Sequence, residues 1–266
     1  MCRLLAYCGK KIDLYSLIYK PDHSIVKQSF QPKEMRTGVV NVDGFGVGWY
    51  DHRIEETPAV YKSPIPIRND LSLPSISRKI ITTCAFVHVR GASTGMAIAQ
   101  VNSHPFTKEK YLFMHNGMTE NFRTAFMPKI RSRLSEAHGA SIDGTTDSEH
   151  VFALFLTLMD RQNGQPAEME TCLIETILQM QKLSKKFKSN VVLNLAVTDG
   201  HTTIVTNFST LDVCASLYAI ENAKAYPKSV IVASEPLFED SAWQPVQRNH
   251  YVRAEAGRRL ELKRIL

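Results

Sequence analysis

Strand-like and helical stretches are segregated along this 266-residue chain, and that segregation limits the fold more than any other feature. Short runs rich in Val, Ile, Phe and Tyr, bounded by Gly, Asp, Asn or Pro, open the chain at Arg3–Tyr7, Phe45–Tyr50, Ala85–Val89 and Tyr111–His115. A second set closes it at Val191–Thr198, Thr202–Asn207, Ser229–Ser234, Tyr251–Ala254 and Leu260–Ile265. Helical periodicity occupies the middle, after Thr145 to about Asp160 and from about Glu168 to Phe187. Thr146-x-x-Glu149 has the spacing of a capping box and starts the first of these helices. Asp199-Gly200 is a hairpin turn signal between two strands. A chain of βαβ units would alternate its elements. Strands, then helices, then strands predict an α+β fold with mostly antiparallel sheets and helices on their outer faces. Residues 52–78, with Pro58, Pro64, Pro66 and Pro74, read as a loop excursion. No internal repeat or low-complexity linker divides the chain.

Composition removes several classes. Hydrophobic residues at 44% and charged residues at 22% are ordinary globular usage and argue against disorder. No apolar run reaches the ~18–20 residues that span a bilayer. The first eleven residues, MCRLLAYCGKK, are too short and interrupted for a signal peptide, so neither a membrane nor secretion is expected. Five cysteines, Cys2, Cys8, Cys84, Cys172 and Cys214, form no CxxC pair or Cys/His ligand cluster. They read as reduced thiols of a cytoplasmic protein, with no disulfide frame, metal or other cofactor expected. The net charge of +6 raises nucleic acid as a partner. Its Lys and Arg are scattered, dense only in KLSKKFK (182–188) and RRLELKR (258–264), which favours a solvated basic surface and no nucleic acid.

Five short segments could carry chemistry. Removal of Met1, normal before a small residue, would put a thiol and a free α-amine together on Cys2. An α-amine titrates at about 7.7–8.0, so it can take the thiol proton as a general base; Cys2 alone equally fits an incidental small apolar residue. In Phe113-Met114-His115-Asn116-Gly117, the Asn116 amide and the Gly117 N–H suit a tetrahedral oxyanion. The same residues fit a strand ending in an Asn-Gly turn. In His88-Val89-Arg90-Gly91-Ala92-Ser93-Thr94, Arg90 could clamp a carboxylate and Ser93 and Thr94 add hydroxyls, or Arg90 could bond loop carbonyls. Asp147, in Thr145-Thr146-Asp147-Ser148-Glu149, could receive a substrate ammonium or simply favour a helix start. The alternating glycines of Asn41–Gly48 lack the GK[ST] and strand–helix context of a phosphate loop and read as a closely packed strand. His104 and Glu235 fit positioning groups or satisfied structural polars.

Taken in order, Cys2, NVDGFGVGW, HVRGAST, SHPF, FMHNG and TTDSE resemble the class II glutamine amidotransferase domain, an N-terminal nucleophile hydrolase. PDHSIVKQSF, LNLAVTDG and VIVASEP extend the resemblance to the family's free-standing branch, which contains γ-glutamyl amidases of ergothioneine biosynthesis and a subunit of a glutathione-degrading complex. The resemblance covers essentially the whole chain. It implies a four-layer αββα sandwich in one domain, 1–266, whose mature form starts at Cys2. It implies Cys2 as nucleophile, Asn116 and Gly117 as the oxyanion hole, Arg90 at the glutamyl α-carboxylate and Asp147 at its α-ammonium, with Ser93, Thr94 and His115 lining the substrate. Gly91 and Thr94 stand where synthase members carry an aromatic residue and a His, and Val40 where many carry an Arg. With no synthase domain in the chain, hydrolysis of a small γ-glutamyl amide is the expectation, γ-glutamyl-hercynylcysteine sulfoxide being one such substrate. Glutathione or a γ-glutamyl peptide, and a glutaminase feeding ammonia to a partner subunit, are the alternatives; a binding module without catalysis is a third class. A homodimer and a partner subunit both stay open.

Overall fold

The computed structural model describes residues 2–34, 40–92, 95–160, 168–255 and 260–265. Strand β1 (Arg3–Asp13) leads into the short helices α1 (Leu14–Ile18) and α2 (Ile25–Gln28), followed by β2 (Phe45–Trp49), β3 (Ala59–Ser63), α3 (Leu73–Ser77) and β4 (Ile81–Val89). Then come β5 (Phe106–Lys108), β6 (Tyr111–Thr119), α4 (Met127–Arg131), α5 (Glu136–Ala140) and the two long helices α6 (Asp147–Asp160) and α7 (Met169–Phe187). The chain closes with β7 (Val191–Thr198), β8 (Thr202–Ser209), β9 (Tyr218–Ala223), β10 (Tyr226–Ala233), β11 (Gln244–Pro245), β12 (His250–Glu255) and β13 (Glu261–Arg264).

The strands form two antiparallel sheets, ordered β11-β9-β10-β1-β4-β2-β3 and β13-β12-β8-β7-β6-β5. Side chains alternate across a strand, and the alternation sorts the core into three layers. In β1, Leu5 and Tyr7 face α1 and α2, whereas Leu4 and Ala6 face the second sheet. In β6, Phe113 packs under α6 and α7 while Leu112 and Met114 meet Leu4, Ala6 and Phe86 between the sheets. Both faces of each central strand are therefore buried, and the layer order is helices, sheet, sheet, helices. This is the αββα sandwich of an α+β protein expected from the sequence.

Several local readings change. Residues 52–78 are not a loop throughout: they hold β3, a 3-10 turn at Ile67–Asn69 and α3. Pro58 and Pro64 flank an edge strand that pairs only with β2 among the described residues, and Pro74 sits in the first turn of α3, the places where proline leaves no ladder or helical bond unmade. The capping box is half formed. Thr146 Oγ1 accepts from the Glu149 N–H at 3.2 Å, but the Glu149 carboxylate turns to the N–H groups of Asp143 (2.9 Å) and Gly144 (2.7 Å). Asn116-Gly117 is not a turn, because β6 runs through both residues to Thr119, with Asn116 opposite Asn194 and Gly117 opposite Leu193. A Cβ on Gly117 would collide with the Val192 carbonyl, so glycine is what permits this close approach. The glycines of 44–48 lie in and before β2, as the strand reading required.

Candidate active site

The layer between the sheets is apolar along most of its length and polar at one end. The period that places Leu4 and Ala6 inward also places Cys2 inward. By the same count His88 and Arg90 continue the inward series Cys84, Phe86 of β4, Asn116 continues Leu112, Met114 of β6, and Ser234 continues Val230, Val232 of β10. Register alone thus gathers a thiol, a guanidinium, an amide, an imidazole and a hydroxyl at one end of the sandwich.

Cys2 is held at the end of β4. Its Sγ accepts from the Gly91 N–H at 3.5 Å and lies 3.6 Å from the Gly91 carbonyl oxygen. Burial pushes the thiol above its ordinary range, against the Gly91 N–H and the charges of Arg90 and Arg3, which lower it. The sulfur is therefore a thiol at neutral pH. Arg90 is buried, and burial lowers its pKa. Its Nη1 donates to the carbonyls of Ala97 (3.1 Å) and Asp43 (3.4 Å). Asp43 in turn accepts from the Ala92 N–H at 2.8 Å, which fixes the loop after β4.

Across the layer, Asn116 Nδ2 is 3.4 Å from Ser234 Oγ, and the same oxygen accepts from the Leu4 N–H at 3.0 Å. Asn116 Oδ1 is buried with no hydrogen-bond partner among the described residues. His88 Nε2 reaches the His115 carbonyl at 3.2 Å, a second bond between the sheets. The His115 ring faces the other way, with Nε2 2.9 Å from the Val192 carbonyl and Nδ1 2.9 Å from Ser148 Oγ. A carbonyl only accepts, so Nε2 carries a proton and donates to Val192, while Nδ1 shares a hydrogen bond with the Ser148 hydroxyl. Both ring nitrogens are engaged within the protein, an arrangement that ties β6 to α6. Asp147, at the start of α6, accepts from the Ser148 N–H at 2.8 Å and lies 4.0 Å from His115 Nδ1. Ser93 and Thr94 lie outside the described residues, as does Met1.

Sequence reading gave Arg3 no role and left Glu235 open between a positioning group and a satisfied structural polar. Arg3 is fully buried and points outward from β1. Its Nη1 donates to the Cys2 carbonyl at 3.0 Å, and its Nε and Nη2 meet Glu235 Oε1 at 2.9 and 2.8 Å. Glu235 also receives His23 Nε2 at 2.7 Å and the N–H groups of Lys33 and Glu34 at 2.8 and 3.1 Å. Burial works against this carboxylate, but the His23, Lys33 and Glu34 bonds and the Arg3 charge outweigh it and hold its pKa down to about 2. Losing one member would strand the other, a cost of about 3–5 kcal/mol for a buried pair, so the pair fixes the start of β1. The signal was present: a lone Arg inside the apolar run RLLAY needs a buried counter-charge.

His88 and His104 pack with ring centroids 4.2 Å apart, both buried beside this site. Burial pushes His88 down to about 3 and His104 well below its ordinary value, so both rings are neutral. An unfolded imidazole titrates near 6.5, so below that pH the unfolded chain binds more protons than the folded one. The contribution is therefore complete above about pH 6.5 and lost as the pH falls toward 3. Two such groups give a slope of about 2.7 kcal/mol per pH unit. Urea unfolding between pH 6.5 and 4.5 should show a steep fall of that order, reduced by about half in His104→Asn. A flat profile would contradict the neutral pair.

The fold, taken with the comparisons with known proteins, assigns an amidohydrolase-type enzyme. The chain belongs to the class II glutamine amidotransferases, whose family profile matches residues 1–264. It is 33% identical to the probable glutamine amidotransferase DUG3 of Saccharomyces cerevisiae over 94% of this chain and 80% of that one. It is 27% identical to the gamma-glutamyl-hercynylcysteine sulfoxide hydrolase of Mycobacterium tuberculosis over 95% and 92%. Among solved structures, a glutamine aminotransferase class-II domain protein from Silicibacter pomeroyi superposes with a TM-score of 0.70 at 22% identity, covering 99% of both chains. The glutamine phosphoribosylpyrophosphate amidotransferase of B. subtilis gives 0.67 at 14% identity, over 99% of this chain and 49% of that one. These two likenesses establish the fold. Among the described residues no helix is long and apolar enough to cross a membrane.

Proposed function

We propose that this chain hydrolyses the γ-glutamyl amide of a small molecule through a γ-glutamyl thioester on Cys2. The observation that carries the reading is the convergence of Cys2, Arg90 and Asn116 at one end of the inter-sheet layer. With Met1 removed, the neutral α-amine of Cys2 takes the thiol proton, and Sγ attacks the γ-carbonyl. The C–N bond breaks as the amine leaves with that proton. Water, deprotonated by the same amine, then attacks the thioester, and the C–S bond breaks to give glutamate and the free thiol.

Asn116 fits the oxyanion role once its hydrogen bonding is followed. Ser234 accepts from Leu4 and so keeps its own proton to give. With the amide turned over, Oδ1 takes that proton and Nδ2 is left for the developing oxyanion, together with the Gly117 N–H. Arg90 offers its fork to the α-carboxylate and Asp147 its carboxylate to the α-ammonium, which orients the scissile amide. Ser93 and Thr94 stay in the proposal from sequence, as does His115, whose bonds suit it to holding β6 against α6.

The mycobacterial likeness favours γ-glutamyl-hercynylcysteine sulfoxide as the substrate. The higher identity to a probable glutamine amidotransferase supports a second reading, glutamine hydrolysis with ammonia passed to a partner chain. Either fits one domain over 1–266 working in a reducing cytoplasm, where the five cysteines, all free, stay thiols. The test is labelling of the purified chain with a glutamine-like diazoketone, followed by intact and peptide mass. One adduct on Cys2 with Met1 absent is the expected result. Retained Met1 and no adduct would overturn both readings, and glutamate release from a γ-glutamyl amide panel then ranks the substrates.

A further inference from the structure

At the end of the sandwich opposite Cys2, three side chains from two sheets meet without any motif in the sequence to announce them. His52 and Glu56 lie in the loop after β2, and His201 lies in the turn between β7 and β8, more than half the chain away. Glu56 Oε2 is 3.2 Å from His52 Nδ1 and 3.5 Å from His201 Nε2. One ligand atom from each of the three lies within 4.8 Å of the others. We propose that His52, Glu56 and His201 bind a divalent transition-metal ion, zinc foremost, that clamps the two sheets together.

The distances suit that ion. Zinc bonds of ~2.0–2.2 Å in a tetrahedral site put neighbouring ligand atoms about 3.3–3.6 Å apart. Two imidazoles and one carboxylate are a donor set for a borderline ion and leave a fourth position for water. The 3.2 Å contact with Glu56 does not satisfy His52: both of its ring nitrogens are shielded from solvent and neither makes a hydrogen bond among the described residues. The frame is already fixed. Tyr50 donates to the Lys110 and Thr198 carbonyls at 2.7 and 3.1 Å, His52 stacks on Tyr50 at 5.4 Å, and His201 stacks on His52 at 4.3 Å. Asp199 Oδ1 receives the N–H groups of His201 (3.1 Å) and Thr202 (2.8 Å), which shapes the turn that presents His201. The nearby Arg53 is paired with Asp51 at 2.7–2.8 Å, so its charge is met at the rim. The two rings are 13° from parallel, so binding unstacks them: the exposed His201 turns about χ2, a soft torsion, to aim its lone pair at the ion while His52 stays on Tyr50. The site is remote from the chemistry: β2 begins at Phe45, opposite Val89 beside Arg90, and has passed Ala85 before His52 is reached.

The test is zinc chloride titration of the full chain after chelator treatment, followed by calorimetry and thermal unfolding, with cobalt substitution read by absorption. One ion per chain is expected, with a higher unfolding midpoint and a cobalt spectrum free of thiolate charge transfer. Outer-shell changes weaken metal sites about 10–100-fold, so His52→Ala and His201→Ala, each losing a ligand, should weaken binding at least tenfold. His201 is exposed, so His201→Ala keeps the fold even if His52→Ala does not. Unchanged affinity in His201→Ala, no zinc binding by the wild type, or a cobalt–thiolate band would each overturn the proposal.

Discussion

Replacing Cys2 with alanine is expected to lower kcat/KM for γ-glutamyl amide hydrolysis about 10⁴-fold or more, the scale seen when a covalent nucleophile is removed. The fold should not follow. Cys2 is partly buried, and among the described residues the hydrogen bonds of its sulfur are the long Gly91 contacts at 3.5 and 3.6 Å, so the loss of stability should stay near 1 kcal/mol or below. The measurement is steady-state hydrolysis with a circular dichroism melt on the same sample. Hydrolysis surviving in Cys2→Ala would remove the thioester from the mechanism, while a collapsed melt would make the residue structural. Cys2→Ser sharpens the point. The hydroxyl is a weaker nucleophile held in the same place, so activity should remain far below wild type with unchanged substrate affinity.

Asn116→Ala is expected to lower kcat by about 10²–10³-fold, the usual effect of removing one oxyanion donor, with KM little changed. The split between kcat and KM decides the role. An amide that only bridges the sheets would on removal disturb binding and stability together, because its link to Ser234 also touches the Leu4 N–H of β1. Asn116→Asp separates the two effects. It keeps the shape and can accept from Ser234, but it puts an acceptor where the oxyanion needs a donor, so kcat should fall at least as far while KM holds. A loss confined to KM in both variants would assign Asn116 to substrate binding.

Much of the architecture was legible. The segregation of strands from helices announced α+β, and the central strands were found where they lie. The misses were local and have causes. β6 looked finished at His115 because Asn-Gly is a common turn, whereas the chain continues as a strand under the Val192 carbonyl, a contact with a residue far along the sequence. β3 was hidden between prolines that suit its edge position. α1, α2, α4 and α5, of four or five residues each, are too short to show a period. The candidate site was legible as a set of motifs, but its support was not. Arg3 and Glu235 meet from opposite ends of the chain, and His52 and His201 meet only because the loop and turn that carry them extend from different, facing sheets.

What the sequence by itself determined is the chemistry available: a thiol at position 2, an amide and glycine after an apolar strand, a guanidinium after another, and the order in which they come. Those are properties of residue type and of near neighbours, which a one-dimensional string carries. What only the tertiary structure decided is which of these groups face one another. Inward placement of Cys2, Arg90, Asn116 and Ser234 depends on strand register, and a shift of one residue would turn each to the opposite face. Register is set by packing between residues far apart in the chain, and so it appears only when the sheets are assembled.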